Sequence, residues 1–330
     1  MSKWNPSTER KGLLELTDGR KLGYAENGNA KSKTVVLFFS GYFSVGSALS
    51  IPKPFAEMDV HWIAPTLPGM GDSSTIKGEL YNVGLCRIVS ALLEHFHPDS
   101  TFDTLYMGGG SYGSVPAQMI YGAPYDLFPQ GRKIAGLLLL SPFSPFKYHK
   151  DYHKSMTWLN WISVGPFSQW FPFRWVPRVM SSALAPRLKD EASAKQMMHD
   201  FIVAKMDGDE RVLLEGWLAD RRLTQDEWTA RLGKGAMQST KTWDGFLEGS
   251  DVLHSDWGFE PRKLDEEHRR KPVLVVASND DELGHGMYKW LEENYANSAL
   301  KMIPGSHISS IFHQDEIWGE MVQMVEARRG

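Results

Sequence analysis

The chain has 330 residues, of which 42% are hydrophobic and 23% are charged, and its formal net charge is -4. These proportions are typical of a globular protein, and the length allows one large domain or two ordinary ones with a substantial core. A nucleic-acid-binding protein would carry a basic excess or a basic stripe. Lys and Arg are scattered here and do not exceed the acidic residues, so we expect no nucleic-acid partner.

The sequence lacks the features of a membrane-spanning or secreted protein. No run of about 18 apolar residues occurs, so we expect no spanning helix and no membrane partner. Residues 1–12 contain no apolar stretch of the kind that secretory signals have. Cys86 is the only cysteine, which excludes an internal disulfide and fits a reducing compartment. We therefore expect a cytoplasmic protein.

Apolar runs before residue 143 predict strands that alternate with helices. An Asp-Gly pair at 18–19 separates two extended segments, which is typical of a β-hairpin. Longer runs of β-branched, aromatic and aliphatic residues predict strands buried on both faces of a parallel sheet. The predicted elements are strands at 13–16, 21–26, 34–41, 60–65, 104–110 and 135–142 and a helix at 82–96.

The strand pattern stops at about residue 143 and returns only near the end of the chain. Residues 143–259 are rich in Trp, Met and Pro and contain helical stretches, for example 192–206 and 210–222. The predicted elements that follow this block are a strand at 272–278, a helix at 287–295, a strand at 298–304 and a helix at 316–327.

Strands that alternate with helices predict an α/β fold with a mostly parallel sheet, here of eight strands. The helical block interrupts this alternation, and the same pattern then continues. We therefore predict an insertion after the sixth strand rather than an independent domain. The predicted core domain comprises residues 1–142 and 260–330, and residues 143–259 form a helical lid or cap.

The strongest chemical signal is the segment GGSYG at 109–113, which fits the pattern G-x-S-x-G and follows an apolar strand. A serine at its centre would lie on a tight turn between a strand and a helix. The backbone passes close to itself there and requires small residues on both sides. The N-terminus of the following helix favours developing negative charge. This context indicates that Ser111 is a nucleophile; the alternative is an incidental serine in a glycine-rich turn.

Several motifs along nearly the whole chain resemble those of the α/β-hydrolase superfamily. The opening DGRKLGYAENGN resembles the first hairpin of many members, and APTLPGMGDSS resembles their stretch Asp-x-Pro-Gly-x-Gly-x-Ser. PVLVVASNDD and IPGSHIS resemble the segments that carry the acid and the histidine of the family's catalytic triad. The resemblance implies the α/β-hydrolase fold and a serine hydrolase that needs neither a cofactor nor a metal ion.

The resemblance assigns the remaining members of the triad in the order nucleophile, acid, base. His307 follows the last predicted strand, where the family has its catalytic base, and His313 is the alternative. Asp281 lies nine residues after the proline that opens its strand, as the family's acid does, and the adjacent Asp280 is the alternative. Such a carboxylate would orient the imidazole and stabilise the imidazolium.

The resemblance also implies an oxyanion hole made by two backbone N–H groups. One belongs to Tyr112 and the other to Tyr42, with Phe43 as the alternative to Tyr42. Two positions depart from the family. Ser40 replaces the usual histidine before the loop glycine, and Thr66 replaces the common aspartate before the Pro-Gly turn. We interpret both as changes at structural positions.

An apolar, aromatic lid over this site indicates a small-molecule substrate, namely a hydrophobic carboxylic ester or lactone. We expect Met70, Tyr42 and Phe43 to line the acyl pocket. A proline iminopeptidase is one alternative, because its elbow Gly-Gly-Ser-Trp-Gly-Ser resembles GGSYGS, although its Gly-Gly-Pro-Gly loop is missing here. A hydrolase of carbon–carbon bonds in diketones and a non-catalytic small-molecule binder are the others. A monomer and a homodimer both remain open.

Overall fold

The computed structural model describes residues 9–329, and an eight-stranded sheet forms the centre of this part of the chain. Residues 1–8, which make up most of the stretch interpreted as lacking a secretory signal, lie outside it. The strands are β1 (Arg10–Glu15), β2 (Lys21–Gly28), β3 (Thr34–Phe39), β4 (His61–Pro65), β5 (Thr104–Gly110), β6 (Ile134–Leu140), β7 (Val273–Asp280) and β8 (Ser298–Ser306).

The strands follow the order β1-β2-β4-β3-β5-β6-β7-β8 across the sheet. β2 pairs antiparallel with both β1 and β4, whereas every pair from β4 to β8 is parallel. Glu15 lies opposite Lys21 in the first pair, so the Asp-Gly turn closes a hairpin as predicted. This topology confirms the predicted mostly parallel sheet of eight strands.

Helices cover both faces of the sheet. Their bounds are α1 (Lys53–Ala56), α2 (Tyr81–Phe96), α3 (Ser114–Tyr121), α4 (Trp158–Ser163), α5 (Trp175–Leu184), α6 (Glu191–Phe201), α7 (Gly208–Asp220), α8 (Gln225–Ser239), α9 (Asp244–His254), α10 (Glu266–Arg269), α11 (His285–Asn294) and α12 (Gln314–Arg329). Side chains of α2, α3 and α11 form the main core on one face, and those of α1 and α12 pack on the other. None of the helices within residues 9–329 has the length and apolar character needed to cross a membrane.

The residues between β6 and β7, 141–272, are called the helical insertion below. All of them are described, and none joins a strand. The insertion contains α4 to α10 and two small apolar clusters of its own. One cluster lies between α6 and α8 around Met197 and Ala236, and the other surrounds Leu214 and Trp228. The division of the chain into a core and an inserted lid stays a prediction.

Candidate active site

Ser111 lies in a sharp turn between β5 and α3. Its φ is 50°, a left-handed conformation that residues with a side chain rarely adopt. A Cβ at Gly109 would overlap the carbonyl group of Gly113, and a Cβ at Gly113 would lie 2.6 Å from the carbonyl carbon of Phe39 in β3. The turn therefore needs glycine at both positions, and it holds the Ser111 hydroxyl at the carboxyl edge of the sheet.

His307 is the hydrogen-bond partner of this serine. It follows the last residue of β8, and its Nε2 lies 2.8 Å from Ser111 Oγ. The Ser141 hydroxyl donates to the His307 carbonyl at 2.9 Å and so restrains the backbone that carries the imidazole. His313, the alternative base, instead has its Nδ1 3.6 Å from the carboxylate of Glu316.

Asp281, rather than Asp280, faces the histidine. Its Oδ1 lies 2.8 Å from His307 Nδ1 and also accepts a bond from the Leu283 N–H at 2.9 Å. Asp281 is only 7% exposed, whereas Asp280 is exposed at the end of β7. Ser111, His307 and Asp281 thus form a continuous series of hydrogen bonds.

Burial and charge act in opposite directions on the titration of this acid–base pair. Burial raises the pKa of the Asp281 carboxyl, but the charge and hydrogen bond of His307, together with the Leu283 N–H, outweigh it and hold that pKa below its usual value. Burial lowers the pKa of the His307 imidazole, but the Asp281 carboxylate outweighs it and raises that pKa above its usual value. The arrangement favours an ionised carboxylate beside an imidazole that readily accepts a proton, as a general base requires.

The loop after β3 lies directly against the serine. A Cβ at Gly41 would lie 3.1 Å from Ser111 Cβ, so the main chain of the loop passes beside the hydroxyl. The Ser44 hydroxyl donates to the Gly41 carbonyl at 2.7 Å and closes the loop. The rings of Tyr42 and Tyr112 stack with their centroids 4.1 Å apart. This contact links the two residues whose N–H groups are the predicted oxyanion donors.

Other residues singled out in the sequence lie around this loop. Phe43, the alternative oxyanion donor, has a left-handed φ of 57°. The Thr66 hydroxyl accepts a bond from the Gly46 N–H at 3.0 Å, so the residue that replaces the family's aspartate holds the loop in place. The expectation that Met70 lines the pocket is wrong. Met70 is 2% exposed, packs against Gly245 of α9 and is not among the residues that line the cavity described next.

A cavity of about 1400 Å³ opens at Ser111 and His307. The loop after β3, the ends of the strands and the helical insertion form its walls, and most of the insertion residues in them are apolar. These apolar residues include Leu159, Pro177, Met180, Met198, Trp217 and Leu232. The sequence did not single them out because apolar side chains in helices usually pack a core. Within residues 9–329, no group of three or more His, Cys, Asp or Glu side chains is arranged to hold a metal ion.

Residues 36–318 match the model of the Alpha/beta hydrolase family, and the chain therefore belongs to this family. Family membership supports hydrolase activity.

Solved structures with the same fold cover almost the whole chain. A hydrolase from Pseudomonas aeruginosa PA01 is 14% identical over 96% of this chain and 98% of its own, with a TM-score of 0.57. A carboxylesterase from the thaumarchaeon Nitrososphaera gargenis is 14% identical over 96% and 99%, with a TM-score of 0.58. A thermophilic esterase from Thermogutta terrifontis is 14% identical over 97% and 100%, with a TM-score of 0.53. At these identities the likeness shows the fold alone. No curated protein sequence matches the chain.

Proposed function

We propose that the protein is a serine hydrolase that cleaves a carboxylic ester or lactone of a hydrophobic small molecule. The observation that carries this proposal is the series of two 2.8 Å hydrogen bonds that joins Ser111 to His307 and His307 to Asp281. A hydroxyl, an imidazole and a buried carboxylate in this order are the parts that nucleophilic acyl transfer needs. Their position at a large, mainly apolar cavity supports a hydrophobic substrate.

In the first step, His307 Nε2 takes the proton of the Ser111 hydroxyl while the Ser111 oxygen attacks the carbonyl carbon of the substrate. Asp281 accepts the Nδ1–H of His307, which keeps the imidazole in the tautomer that has a free Nε2. The carboxylate also stabilises the imidazolium that forms. His307 then gives the proton to the leaving alcohol, and an acyl-enzyme ester on Ser111 remains.

The negative charge of the tetrahedral intermediate needs donors beside Ser111. The backbone N–H groups of Tyr42 and Tyr112 are the proposed donors, each worth about 2.7–4 kcal/mol in the transition state. The stacking of their rings supports this assignment, because it would hold the two peptide groups in a constant relative position. A water molecule activated by His307 then hydrolyses the acyl-enzyme and restores the serine.

Replacement of the nucleophile tests the proposal. Ser111→Ala should lose all measurable turnover of p-nitrophenyl esters while its thermal unfolding stays the same as that of the wild type, because only a hydroxyl is removed. A fluorophosphonate probe should label the wild type at Ser111, as measured by mass spectrometry, and should not label the variant. Ser182→Ala, which changes an exposed serine of α5, is the control and should keep full activity.

A panel of substrates separates the ester or lactone hydrolase from the alternative activities. It consists of a series of esters and lactones, a proline naphthylamide and a diketone. If the wild type prefers the naphthylamide or the diketone and that turnover is lost in Ser111→Ala, Ser111 is still the nucleophile and the proposed substrate class is wrong. Full ester hydrolysis by Ser111→Ala would reject the proposed nucleophile, and a wild type that the fluorophosphonate never labels would favour a non-catalytic binder.

A further inference from the structure

We propose that Glu210 of the helical insertion is a positioning residue for His307, so that the helices covering the cavity take part in forming the catalytic base. This inference rests on the proposed function, since it concerns the same histidine. Glu210 was not a candidate in the sequence, where it is one of many acidic residues in a helical segment.

The Glu210 carboxyl group binds the short segment that carries the histidine. Its Oε1 accepts the Ser306 N–H at 2.9 Å and the Ser306 hydroxyl at 2.7 Å, and it also accepts the Ser309 hydroxyl. These two serines lie one residue before and two residues after His307. The three hydrogen bonds therefore restrain the chain on both sides of the imidazole.

The location of Glu210 shows that these contacts are built into the fold. Glu210 is only 4% exposed, and three protein donors satisfy its Oε1. Its own N–H donates to the side chain of Asp207 at 2.8 Å, which fixes it in the first turn of α7. Helix α7 thus presents the carboxyl group from a defined position.

The backbone beside the histidine is adapted to this contact. Gly305 has a φ of 93°, and a Cβ there would lie 2.8 Å from Glu210 Cγ. A larger residue at position 305 would push the carboxyl group away from Ser306 and Ser309. Glycine is therefore required both by the turn and by the close approach of the glutamate.

Acyl transfer is sensitive to small displacements of the catalytic groups, so the loss of the Glu210 contacts should reduce the rate. A shift of about 1 Å in a catalytic group can reduce the rate roughly 100-fold. Without the Glu210 carboxyl group, one backbone N–H and two hydroxyls next to His307 lose their acceptor and must reorganise. The Ser141 hydroxyl would then still hold the His307 carbonyl, and the Asp281 carboxylate would still accept the His307 imidazole N–H, but neither group binds Ser306 or Ser309.

Two substitutions at position 210 distinguish positioning from other roles. Glu210→Ala should reduce kcat for the best ester roughly 10–100-fold with a smaller change in KM, because the lost hydrogen bonds hold the base and Glu210 is one of many residues that line the cavity. Glu210→Gln should restore most of the activity, because its amide oxygen can accept the same three bonds. Glu215→Ala, on the exposed face of the same helix, is the matched control and should behave as the wild type.

The pH dependence of kcat/KM is a second measurement. It would stay unchanged if Glu210 only stabilised the fold. If His307 moves away from Asp281 in Glu210→Ala, its pKa falls, and the rising limb of kcat/KM should shift to lower pH. Glu210→Gln should leave the limb in place. The combined variant Ser306→Ala/Ser309→Ala removes the two hydroxyl donors and should reproduce part of the defect; it serves as the test if Glu210→Ala does not fold.

The outcomes separate this inference from the proposed function. If Ser111→Ala is inactive and Glu210→Ala keeps the wild-type kcat, only the positioning role is rejected. A raised KM with unchanged kcat in Glu210→Ala would also overturn it and assign Glu210 to substrate binding. If Ser111→Ala keeps full activity, the proposed function fails, whatever the variants at position 210 do.

Discussion

In the proposed mechanism, the protonation state of His307 determines when Ser111 can be activated. The imidazole must be neutral to accept the serine proton, and the adjacent Asp281 raises its pKa above the usual value near 6.5. If this base limits the reaction, kcat/KM should rise with pH to a plateau. The midpoint of the rise should lie above the pKa of an ordinary histidine.

Asp281→Asn should change both the rate and the pH dependence. The amide carries no negative charge, so the pKa of His307 falls and the rising limb of kcat/KM moves to lower pH. The imidazole also loses the acceptor that selects its tautomer, and kcat should fall roughly 10⁴-fold. Stopped-flow or steady-state ester hydrolysis between pH 5 and pH 9 measures both effects. Asp280→Asn is the comparison, and a larger loss there than in Asp281→Asn would assign the acid to Asp280.

At the scale of elements, the turn from β5 into α3 depends on close contacts of main chain with main chain. Gly113 lies against Phe39 and Ser40 of the neighbouring β3 and its loop, and a Cβ at position 113 would lie 2.6 Å from the Phe39 carbonyl carbon and 2.7 Å from the Ser40 carbonyl oxygen. Backbone atoms in the centre of a sheet have little freedom to move aside. The surrounding backbone therefore holds Ser111 in its left-handed conformation.

Gly113→Ala should destabilise the fold by about 3 kcal/mol, because the added methyl group overlaps the backbone of β3. Urea unfolding measures the loss, and ester hydrolysis should fall in parallel as the serine shifts. Gly216→Ala is the control within α7, where nothing outside the local helix backbone lies within 4 Å of the new methyl group. It should increase stability by about 0.5–1 kcal/mol, since alanine favours a helix more than glycine does. Equal stability of the two variants would contradict the close-contact account.

The helices of the insertion were the elements least accurately predicted. The helix expected over 192–206 ends as an α-helix at Phe201. A 3-10 turn follows over Val203–Lys205, and Asp207 begins α7 as its N-terminal cap. Short helices with apolar residues on more than one side pack against each other and against the cavity. Their periodicity is therefore weaker than that of the strands, which are buried on both faces.

At the scale of the whole molecule, the cavity lies between the carboxyl edge of the sheet and the helical insertion. Gly235 of α8 is one of its lining residues, and a Cβ there would have 3.9 Å of space to Phe43 and Ser44 in the loop after β3. A side chain at this position would occupy the cavity beside the loop after β3, which carries the proposed oxyanion donor Tyr42, without overlapping the backbone.

Gly235→Leu should therefore restrict the site to esters with short acyl chains. Hydrolysis of acetyl and butyryl p-nitrophenyl esters should stay near the wild-type rate, while kcat/KM for long-chain esters should fall by about 10-fold or more. Each CH₂ group of the acyl chain that no longer contacts the protein should weaken binding by about 0.8 kcal/mol. Thermal unfolding serves as the control for stability. An unchanged preference for chain length would show that the acyl group lies elsewhere in the cavity.

The amino-acid sequence by itself determined the sheet, because buried parallel strands and an Asp-Gly hairpin leave local patterns that need no knowledge of distant residues. It also singled out Ser111, since the elbow is a local motif, and the resemblance to the α/β-hydrolase superfamily implied His307 and two adjacent acids. Only the tertiary structure decided that Asp281, rather than Asp280, faces the histidine, where a shift in register separates Ser278 from Asp280 at the end of β7. It also showed the contact of Glu210 with the histidine segment and removed Met70 from the pocket. These features depend on distances between residues far apart in the chain, which packing determines and local sequence patterns do not.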